Sequence, residues 1–333
     1  KIEGSSYYGL YYSDEPDNGY RNYMELFLPS KKWNKEYIFA RNQGTGYSDN
    51  IHQEKCMAAN GMGGWSGLCP TQELVDAYEM ANGSTPIIGY NADGTPIING
   101  ASGYSETGFA ATAGKHYPAG VYNMYVGREP RFYASINFNG QQWRGRQLEF
   151  WQGGKDGINV SKVDYCCTGY LLRKTADEGV DVINGKGGMK EASILFRVGS
   201  LYLDYAEALN EAEGPVDDVY KYVDAIRKRA GLPGLAKGLD KDKMRERIQH
   251  ERQIELAFEA GHRYFDCHRW KIAEKTDNGY MHGMNITATN KVDYSKRSTV
   301  GDSRVFEKKH YLFPIPQSEM DKRIGLVQSP YWE

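Results

Sequence analysis

A chemically rich stretch of the chain is residues 250–270, which read HERQIELAFEAGHRYFDCHRW. It contains three histidines, one cysteine and several carboxylate and guanidinium groups. Those side chains form metal centres, acid–base pairs and thiol nucleophiles. Which of these sites is possible depends on where a helix points each side chain, because residues three or four apart share a helix face.

A metal centre is the first possibility. Glu259 and His262 have the Glu-x-x-His spacing of a ligand pair in a carboxylate-bridged dimetal site, and Glu307 and His310 repeat it. Such a site needs four inward-facing helices that each supply a ligand. His310 is followed at once by Tyr-Leu-Phe-Pro, which does not continue a helix. We therefore expect no metal site and no cofactor.

A glycoside hydrolase is the second possibility, with Glu251 and Glu255 as its acid–base pair. The carboxyl groups of such enzymes stand about 5–10 Å apart across the scissile bond. Glu251 and Glu255 lie one helical turn apart, on the same side as Ile248 and Phe258. We therefore expect them to face a neighbouring helix and not a cleft.

Three arginines lie within one or two helical turns of these carboxylates: Arg247, Arg252 and Arg263. A carboxylate in a helix seam is tolerated only when it is paired, and a guanidinium group gives the bidentate match. We therefore interpret Glu251, Arg252, Glu255 and Arg263 as structural residues and not as catalytic ones.

The cysteines do not form a recognisable site. Cys267 and His268 are adjacent, so on a helix they point about 100° apart and do not face each other. Cys56 and Cys69 could form a bridge across the GMGGWSG loop, although free thiols are the simpler interpretation. The full set is odd in number and irregular in spacing, unlike a disulfide framework or a zinc site: Cys56, Cys69, Cys166, Cys167 and Cys267.

The composition excludes two classes of protein. The 333 residues carry 41 basic and 43 acidic side chains, and this balance argues against nucleic-acid binding. No apolar run reaches the roughly 20 residues that cross a bilayer. Of the 26 tyrosines, 17 precede residue 171, together with 24 of the 38 glycines. A region of this composition is rich in loops and offers flat rings for recognition or for packing under the loops.

The elements that must position these side chains change in type along the chain. Residues 1–190 alternate short apolar runs with turns. PTQELVDAYEMANG (70–83) predicts a helix with Thr71 as N-cap. IIGYNADGTPIING (87–100) predicts two short strands around an Asp-Gly turn, and RFYASINFNGQQWRGRQLEFW (131–151) predicts a hairpin that turns at Asn139 and Gly140.

Residues 191–333 are predicted to begin with helices and to end in an extended tail, which has one helical turn at Gln317–Asp321. Short connections between the helices predict antiparallel pairs. Asp240 is the expected N-cap of the third helix, which is predicted to run through residue 270. The apolar positions are Val198, Leu201, Tyr205, Ala208 and Ala212 in the first helix, Val216, Val219, Val223, Ile226 and Ala230 in the second, and Met244, Ile248, Phe258 and Phe265 in the third.

Several segments of this chain resemble the SusD/RagB family. In the helical half these are YLDYAEALNEA, YKYVDAIRKRAGLP, IQHERQIELAFEAGHRYFDCHRW and LFPIPQSEM. Upstream, PTQELVDAYEMANG, REPRFYASINFNG and TGYLLRK resemble further blocks of the family in the same order. The resemblance covers about residues 35–333. The tail reads QSPYW where the family usually has a sequence like QNPGW, a departure that concerns the shape of the last turn.

The resemblance implies a mainly α fold with irregular loops. Tetratricopeptide-like helix pairs would form a scaffold at 191–333, and a loop-rich region with short β-hairpins at 1–190 would hold the ligand site. It also implies a lipid-anchored outer-membrane protein of the cell surface of Bacteroidota that captures oligosaccharides without cleaving them. Its partner would be a SusC-like TonB-dependent transporter. Because family members are longer and begin with a lipidated cysteine, we expect the anchor cysteine to lie outside this chain.

Other functions remain open at this point. The same fold could capture peptides or another nutrient, and a hydrolase would require a pair of carboxylates that faces a cleft. A helical-repeat interaction module is disfavoured because the helical part is less than half of the chain. No motif specifies which glycan would bind.

Large rings in loops rich in small polar residues are the candidate ligand contacts. Such a ring either stays exposed and stacks on a sugar or folds back as an anchor for its own loop. We expect at least one of them to contact ligand. The candidates are Trp65, Tyr90, Tyr104, Trp143 and Trp151.

Overall fold

The structure is a computed structural model that describes residues 7–28, 31, 33–42, 47–186, 192–259 and 261–332. Helices and loops make up most of this part of the chain, and its strands form antiparallel two-stranded sheets. The predicted fold class, mainly α with irregular loops and short strand pairs, is confirmed.

Three helices form the scaffold of the second half: α5 (Val198–Glu213), α6 (Asp217–Arg229) and α7 (Lys241–Glu255). Helix α5 packs against both α6 and α7. The carboxylate of Asp240 accepts a hydrogen bond from the Lys243 N–H and caps α7, as predicted. The core between the three helices contains Ala206, Val219, Tyr220, Val223, Leu235, Met244 and Ile248.

The buried face of α5 differs from the predicted one. Leu203, Ala206 and Asn210 are buried, whereas Tyr205 and Ala208 are exposed. Helix α5 packs against α6 and α7 at once, so the side of α5 that faces the seam between these two helices is buried. The small side chain of Ala206 fits into this seam. Of the apolar face predicted for α6, Val219, Val223 and Ile226 are buried, whereas Val216, at the N-cap position, is exposed.

The helix predicted through residue 270 is wrong in its second half. Helix α7 ends at Glu255, and a separate helix α8 (His262–Arg269) follows. Between them, Phe258 adopts φ 63° and Gly261 adopts φ 74°, left-handed conformations that a right-handed helix cannot contain. The change of direction leaves Phe258 and Phe265 exposed, so these two rings are not part of the core.

The loop-rich half contains short helices and strands. The helices are α1 (Gly19–Glu25), α2 (Tyr47–Met57), α3 (Gln72–Ala77) and α4 (Pro130–Ser135). The strands are β1 (Tyr37–Asn42), β2 (Ile87–Tyr90), β3 (Pro96–Ile98), β4 (Ile136–Phe138), β5 (Gln142–Trp143), β6 (Arg146–Gln147), β7 (Tyr170–Leu172) and β8 (Ala192–Arg197). They pair as β1–β8, β2–β3, β4–β7 and β5–β6.

The predictions for this half are partly confirmed. Helix α3 starts after Thr71 as expected but ends at Ala77, and the hairpin β2–β3 forms as expected. The hairpin predicted for 131–151 is wrong. Residues before β4 form α4, because Pro130 occupies the first helical turn, where its missing N–H is not needed. Strand β4 pairs with the distant β7.

Aromatic side chains build the largest core, which lies in the loop-rich half. The rings of Tyr125 and Phe138 are 4.4 Å apart between centroids, and Phe132 stacks on Phe138 at 5.4 Å. Tyr78 and Tyr170 are fully buried in the same cluster. Eight of the 17 tyrosines that precede residue 171 are buried, so a large share of the tyrosine excess serves packing.

The last part of the chain adds α9 (Ala273–Thr276), β9 (Gly279–Met284), α10 (Lys291–Tyr294), β10 (Arg297–Arg304) and α11 (Gln317–Met320). Helix α11 is the single turn predicted in the tail. The pair β9–β10 was not predicted, because β10 is largely polar and β9 contains two glycines. Of the helices that the structure describes, none has the length and apolar character that a membrane span requires.

Candidate functional site

The charged stretch of α7 lies inside the protein. Glu251 and Glu255 are almost completely buried. Arg131 contacts both carboxylates, at 2.5 Å from Glu251 and 3.0 Å from Glu255, measured from its Nη1. Arg227 binds Glu251 at 3.0 Å. Neither carboxylate faces a cleft, so the two do not form a hydrolase pair.

Glu255 is the centre of this buried ion network. Its Oε1 accepts from Arg197 Nη1 at 2.9 Å and from Arg229, while its Oε2 faces Arg131. Burial alone would raise the pKa of Glu255, but the charges of Arg229, Arg197 and Arg131 lower it far below its usual value. The side chain is therefore ionised at neutral pH. The network continues through Glu36, Glu79, Glu129, Glu259 and Lys174.

The partners of these carboxylates are not the predicted ones. Arg247 binds Glu79, and Arg252 binds Asp266 at 2.9 Å through its Nε. Arg263 forms no ion pair with any residue that the structure describes. The structural interpretation of Glu251 and Glu255 fits this geometry, but their partners come from other elements.

The two Glu-x-x-His pairs serve other contacts. Glu259 accepts hydrogen bonds from Arg197 at 2.7 and 2.8 Å and from Lys174 at 2.5 Å. His310 Nδ1 accepts from the Glu307 backbone N–H. Within the described ranges, no three His, Cys, Asp or Glu side chains converge as metal ligands would.

The thiol of Cys69 lies beside that of Cys166, and Cys69 forms no bridge with Cys56. The Sγ atoms of Cys69 and Cys166 are 3.9 Å apart, and all five thiols are free. Contact with Cys166 raises the pKa of Cys69, and contact with Cys69 raises the pKa of Cys167. The Cys56–Cys69 bridge considered from the sequence is therefore not formed, because the loop folds Cys69 toward the segment before β7.

Three of the five candidate rings are at least partly open. Trp65 is 36% exposed and lies beside His52, with 5.2 Å between ring centroids. Tyr90 is 48% exposed, and its hydroxyl donates to Asp76 at 2.7 Å. Trp151 is half-buried, with the Lys291 ammonium 5.0 Å from its ring.

The other two candidate rings are loop anchors. Tyr104 is 6% exposed, its hydroxyl donates to Glu106, and Arg128 lies 5.3 Å from its ring. Trp143 is 2% exposed, and Arg173 lies 4.6 Å from its ring. Of the two alternatives considered from the sequence, these two rings follow the second, because each covers core residues beneath its loop. Arg297 binds both Asp76 and Glu106, so the hydroxyl groups of Tyr90 and Tyr104 belong to one charged cluster.

A better-formed candidate site lies beside Trp143, in two adjoining cavities of about 330 and 320 Å³. These volumes are at the lower end of small-molecule sites. Both cavities are lined by Tyr20, Lys115, His116 and Tyr117. We call this pair of cavities the Tyr20–Tyr117 cavity.

A ladder of rings forms one wall of the Tyr20–Tyr117 cavity. Tyr20 stacks on His116 with 4.7 Å between centroids, His116 lies 5.2 Å from Tyr133, and Tyr133 stacks on Tyr117 at 6.1 Å. Tyr133 is buried and lines one of the two cavities, whereas the other three rings are half-buried and line both. The wall is therefore a rigid, partly exposed aromatic surface.

Polar groups surround this wall. Arg173 donates to the Tyr20 hydroxyl, and Gln141 and Gln142 line the same cavity. His116 forms no hydrogen bond with any residue in the described part of the chain. Its pKa is lowered to about 4 by burial and then by the charges of Lys115 and Arg173, so the ring is neutral at pH 7. A neutral imidazole offers one donor and one acceptor.

Few local features of the sequence indicate this site. Its one local signal is the run Lys115-His116-Tyr117-Pro118, where two rings follow a cation in a loop. Tyr20 and Arg173 are 153 residues apart in sequence, and only the fold brings them together.

Comparison with known proteins gives consistent matches. The sequence model of the SusD family matches residues 29–332. SusD-like protein P25 of Formosa agariphila is 42% identical over 82 residues, which are 24% of this chain and 15% of that protein. SusD-like protein P2 of the same organism is 29% identical over 154 residues, which are 43% of this chain and 26% of that protein.

A solved structure extends the similarity to the fold. A SusD-like protein from Bacteroides fragilis superposes with a TM-score of 0.69 at 28% identity. The superposition covers 96% of this chain and 59% of that protein. The chain therefore corresponds to less than two thirds of the length of each of these proteins.

Proposed function

The chain belongs to the SusD family, as its sequence motifs indicated, and we propose from this premise that it binds oligosaccharides without cleaving them. The observation that carries the proposal is the Tyr20–Tyr117 cavity, where an aromatic wall stands beside polar side chains. The faces of sugar rings pack on aromatic rings, and sugar hydroxyls need both donors and acceptors. His116, Gln142 and Arg173 supply such groups around the wall.

The carboxylates support binding over hydrolysis. A hydrolase needs an acid whose pKa is raised and which reaches the scissile bond. Among the described residues, Glu129 is the carboxyl group whose pKa is raised overall, and the main cause is its burial. It is fully buried and bound to Arg131 at 2.7 Å, so no substrate reaches it. The Tyr20–Tyr117 cavity has one lining carboxylate among these residues, Asp17.

Calorimetry with a panel of oligosaccharides tests the proposal. We expect at least one of them to bind and Tyr117→Ala to weaken its binding about tenfold, by analogy with stacking losses on nucleic-acid bases. Tyr205→Ala is the matched control, because Tyr205 is an exposed ring on α5 that lies outside the cavity. Equal binding by parent and Tyr117→Ala would place the glycan elsewhere.

The open rings found from the sequence remain part of the proposal. Trp65, Tyr90 and Trp151 have accessible surface that could hold a further stretch of a long glycan. Alanine variants at these three positions should lower the affinity for a polysaccharide more than for a disaccharide if they extend the site. Binding of a casein peptide digest, with no oligosaccharide bound, would favour the alternative of peptide capture.

Delivery to a transporter is the finer part of the proposal. Family membership supports a lipid-anchored protein on the outer membrane that passes its ligand to a SusC-like TonB-dependent transporter. Co-purification of the full-length protein with that transporter, from membranes solubilised in mild detergent, is the expected result. A protein that elutes alone under these conditions and at varied salt would count against the partnership.

A further inference from the structure

The charge of the Tyr20–Tyr117 cavity points to a class of glycan. Three cations line it, among them the half-buried Arg173 and the exposed Lys115. The third, Arg128, is occupied elsewhere, since its guanidinium donates to the carbonyls of Val75, Tyr78 and Met124. With Asp17 as the lining carboxylate of the described residues, the cavity carries an excess of positive charge.

No carboxylate pairs with Arg173 in the described part of the chain, although the charge of Glu178 acts on the neighbouring Tyr20. Buried arginines of this protein such as Arg131 and Arg197 each face two or more carboxylates. Arg173 instead forms no ion pair with any residue that the structure describes, and its Nε is buried without a hydrogen-bond partner. A buried donor without a partner is unfavourable, and a guanidinium group is suited to bidentate binding of carboxylate or sulfate.

Two rings hold the Arg173 guanidinium in place. Its Cζ lies 4.6 Å from the Trp143 ring and 5.5 Å from the Tyr20 ring, and one Nη donates to the Tyr20 hydroxyl. Held in this way, the group loses little freedom when an anion binds. The buried Trp143, although not itself an open platform, thus supports the cation that lines the cavity.

The lowered pKa of His116 reflects burial and the same two cations. Its pKa is lowered to about 4, first by burial and then by the charges of Lys115 and Arg173. The same charges that disfavour a proton on the imidazole favour an anion beside it.

We propose, resting on glycan binding at this cavity, that the Tyr20–Tyr117 cavity selects acidic oligosaccharides, with Arg173 bound to the anionic group of one sugar and Lys115 as a second charge. The shared chemistry is a single negative group on a sugar ring, either the carboxylate of a uronate or a sulfate ester. The aromatic wall then packs against the ring that carries the charge or against its neighbour.

The test compares glycans that differ only in charge. Calorimetry with oligogalacturonate and its methyl ester forms one arm, and a sulfated galactan oligosaccharide with its desulfated form makes the other. We expect the charged member of at least one pair to bind about 10–100-fold more tightly, the range of a charge-assisted hydrogen bond. The arm that shows the difference identifies carboxylate or sulfate.

Variants assign the effect to this cavity. Arg173→Gln and Lys115→Gln should each lower the affinity for the charged member more than the affinity for the neutral one, and so reduce the preference. Lys115 is exposed, so its variant should keep the fold even if Arg173→Gln does not. Lys162→Gln, at an exposed lysine outside the cavity lining, is the control.

The outcomes separate this inference from the proposed function. If charged and neutral members bind equally, or if Lys115→Gln and Arg173→Gln leave the preference unchanged, the acidic selectivity is refuted while glycan binding stands. If no oligosaccharide of either kind binds, both proposals are refuted.

Discussion

Replacing Glu255 by glutamine removes one negative charge from the buried ion network and keeps the shape of the side chain. In the structure Glu255 is fully buried and faces Arg131, Arg197 and Arg229. The neutral amide offers them one oxygen in place of two, and its NH₂ group points donors at guanidinium donors. The change therefore leaves buried positive charge without compensation.

The size of the effect follows from this geometry. Removing one partner of a buried ion pair costs about 3–5 kcal/mol, because the remaining charge stays desolvated and unpaired. A retained oxygen places Glu255→Gln near the lower end of that range. Domains are stable by only about 5–15 kcal/mol, so we expect a melting temperature lower by about 5–10 °C.

Unfolding curves at several pH values test the cause as well as the size. The pKa of Glu255 is lowered in the folded state, so its stabilisation is complete above the unfolded value of about 4.3 and is lost as the pH falls below it. The stability difference between parent and Glu255→Gln should therefore be constant from about pH 6 to 8 and shrink toward pH 3.

A control on the same helix separates charge from helix propensity. Glu246 is exposed on α7, and Glu246→Gln should change stability by less than about 0.5 kcal/mol. If Glu255→Gln unfolds at the same temperature as the parent, the network does not stabilise the fold as argued. If it keeps that stability and loses glycan binding, Glu255 belongs to the ligand site.

Three further predictions concern other residues and the proposed lack of catalysis. Arg252→Ala should lower the free energy of unfolding measured in urea by about 3 kcal/mol, because the buried Asp266 then keeps the exposed Arg269 as its remaining cation among the described residues. Arg263→Ala, at a residue without an ion pair in the described structure, should change stability by less than about 0.5 kcal/mol. Similar losses at both sites would contradict the assignment. Oxidised glutathione should convert Cys69 and Cys166 to a disulfide, with release of two reduced glutathione molecules, and peptide mass mapping detects the bridge. Cys69→Ser should abolish this disulfide. A disulfide that forms only through Cys56 would contradict the prediction. Overnight incubation with any polysaccharide that binds should release no reducing ends above a heat-denatured control.

Part of this fold was predictable from the sequence because its causes are local. Asp240 caps α7 through the N–H of a residue three positions later, and the apolar positions of α6 repeat with the helical period. The Asp-Gly turn of the β2–β3 hairpin has the same local origin. The family motifs in α6 and α7 could also be recognised from the sequence. They include residues of the ion network, such as Arg229 and Glu255.

Tertiary structure alone decided the partners. Glu251 was recognised as a buried, paired carboxylate, but its partner Arg131 is 120 residues away in sequence, and no periodicity links the two. Local alternation predicted a strand where Arg131 lies, yet the chain forms α4 there. The Tyr20–Tyr117 cavity has the same origin, since Tyr20, His116 and Arg173 meet only after the core forms. Sequence patterns report which side chains prefer burial, whereas the pairing of buried charges and rings depends on packing between distant segments.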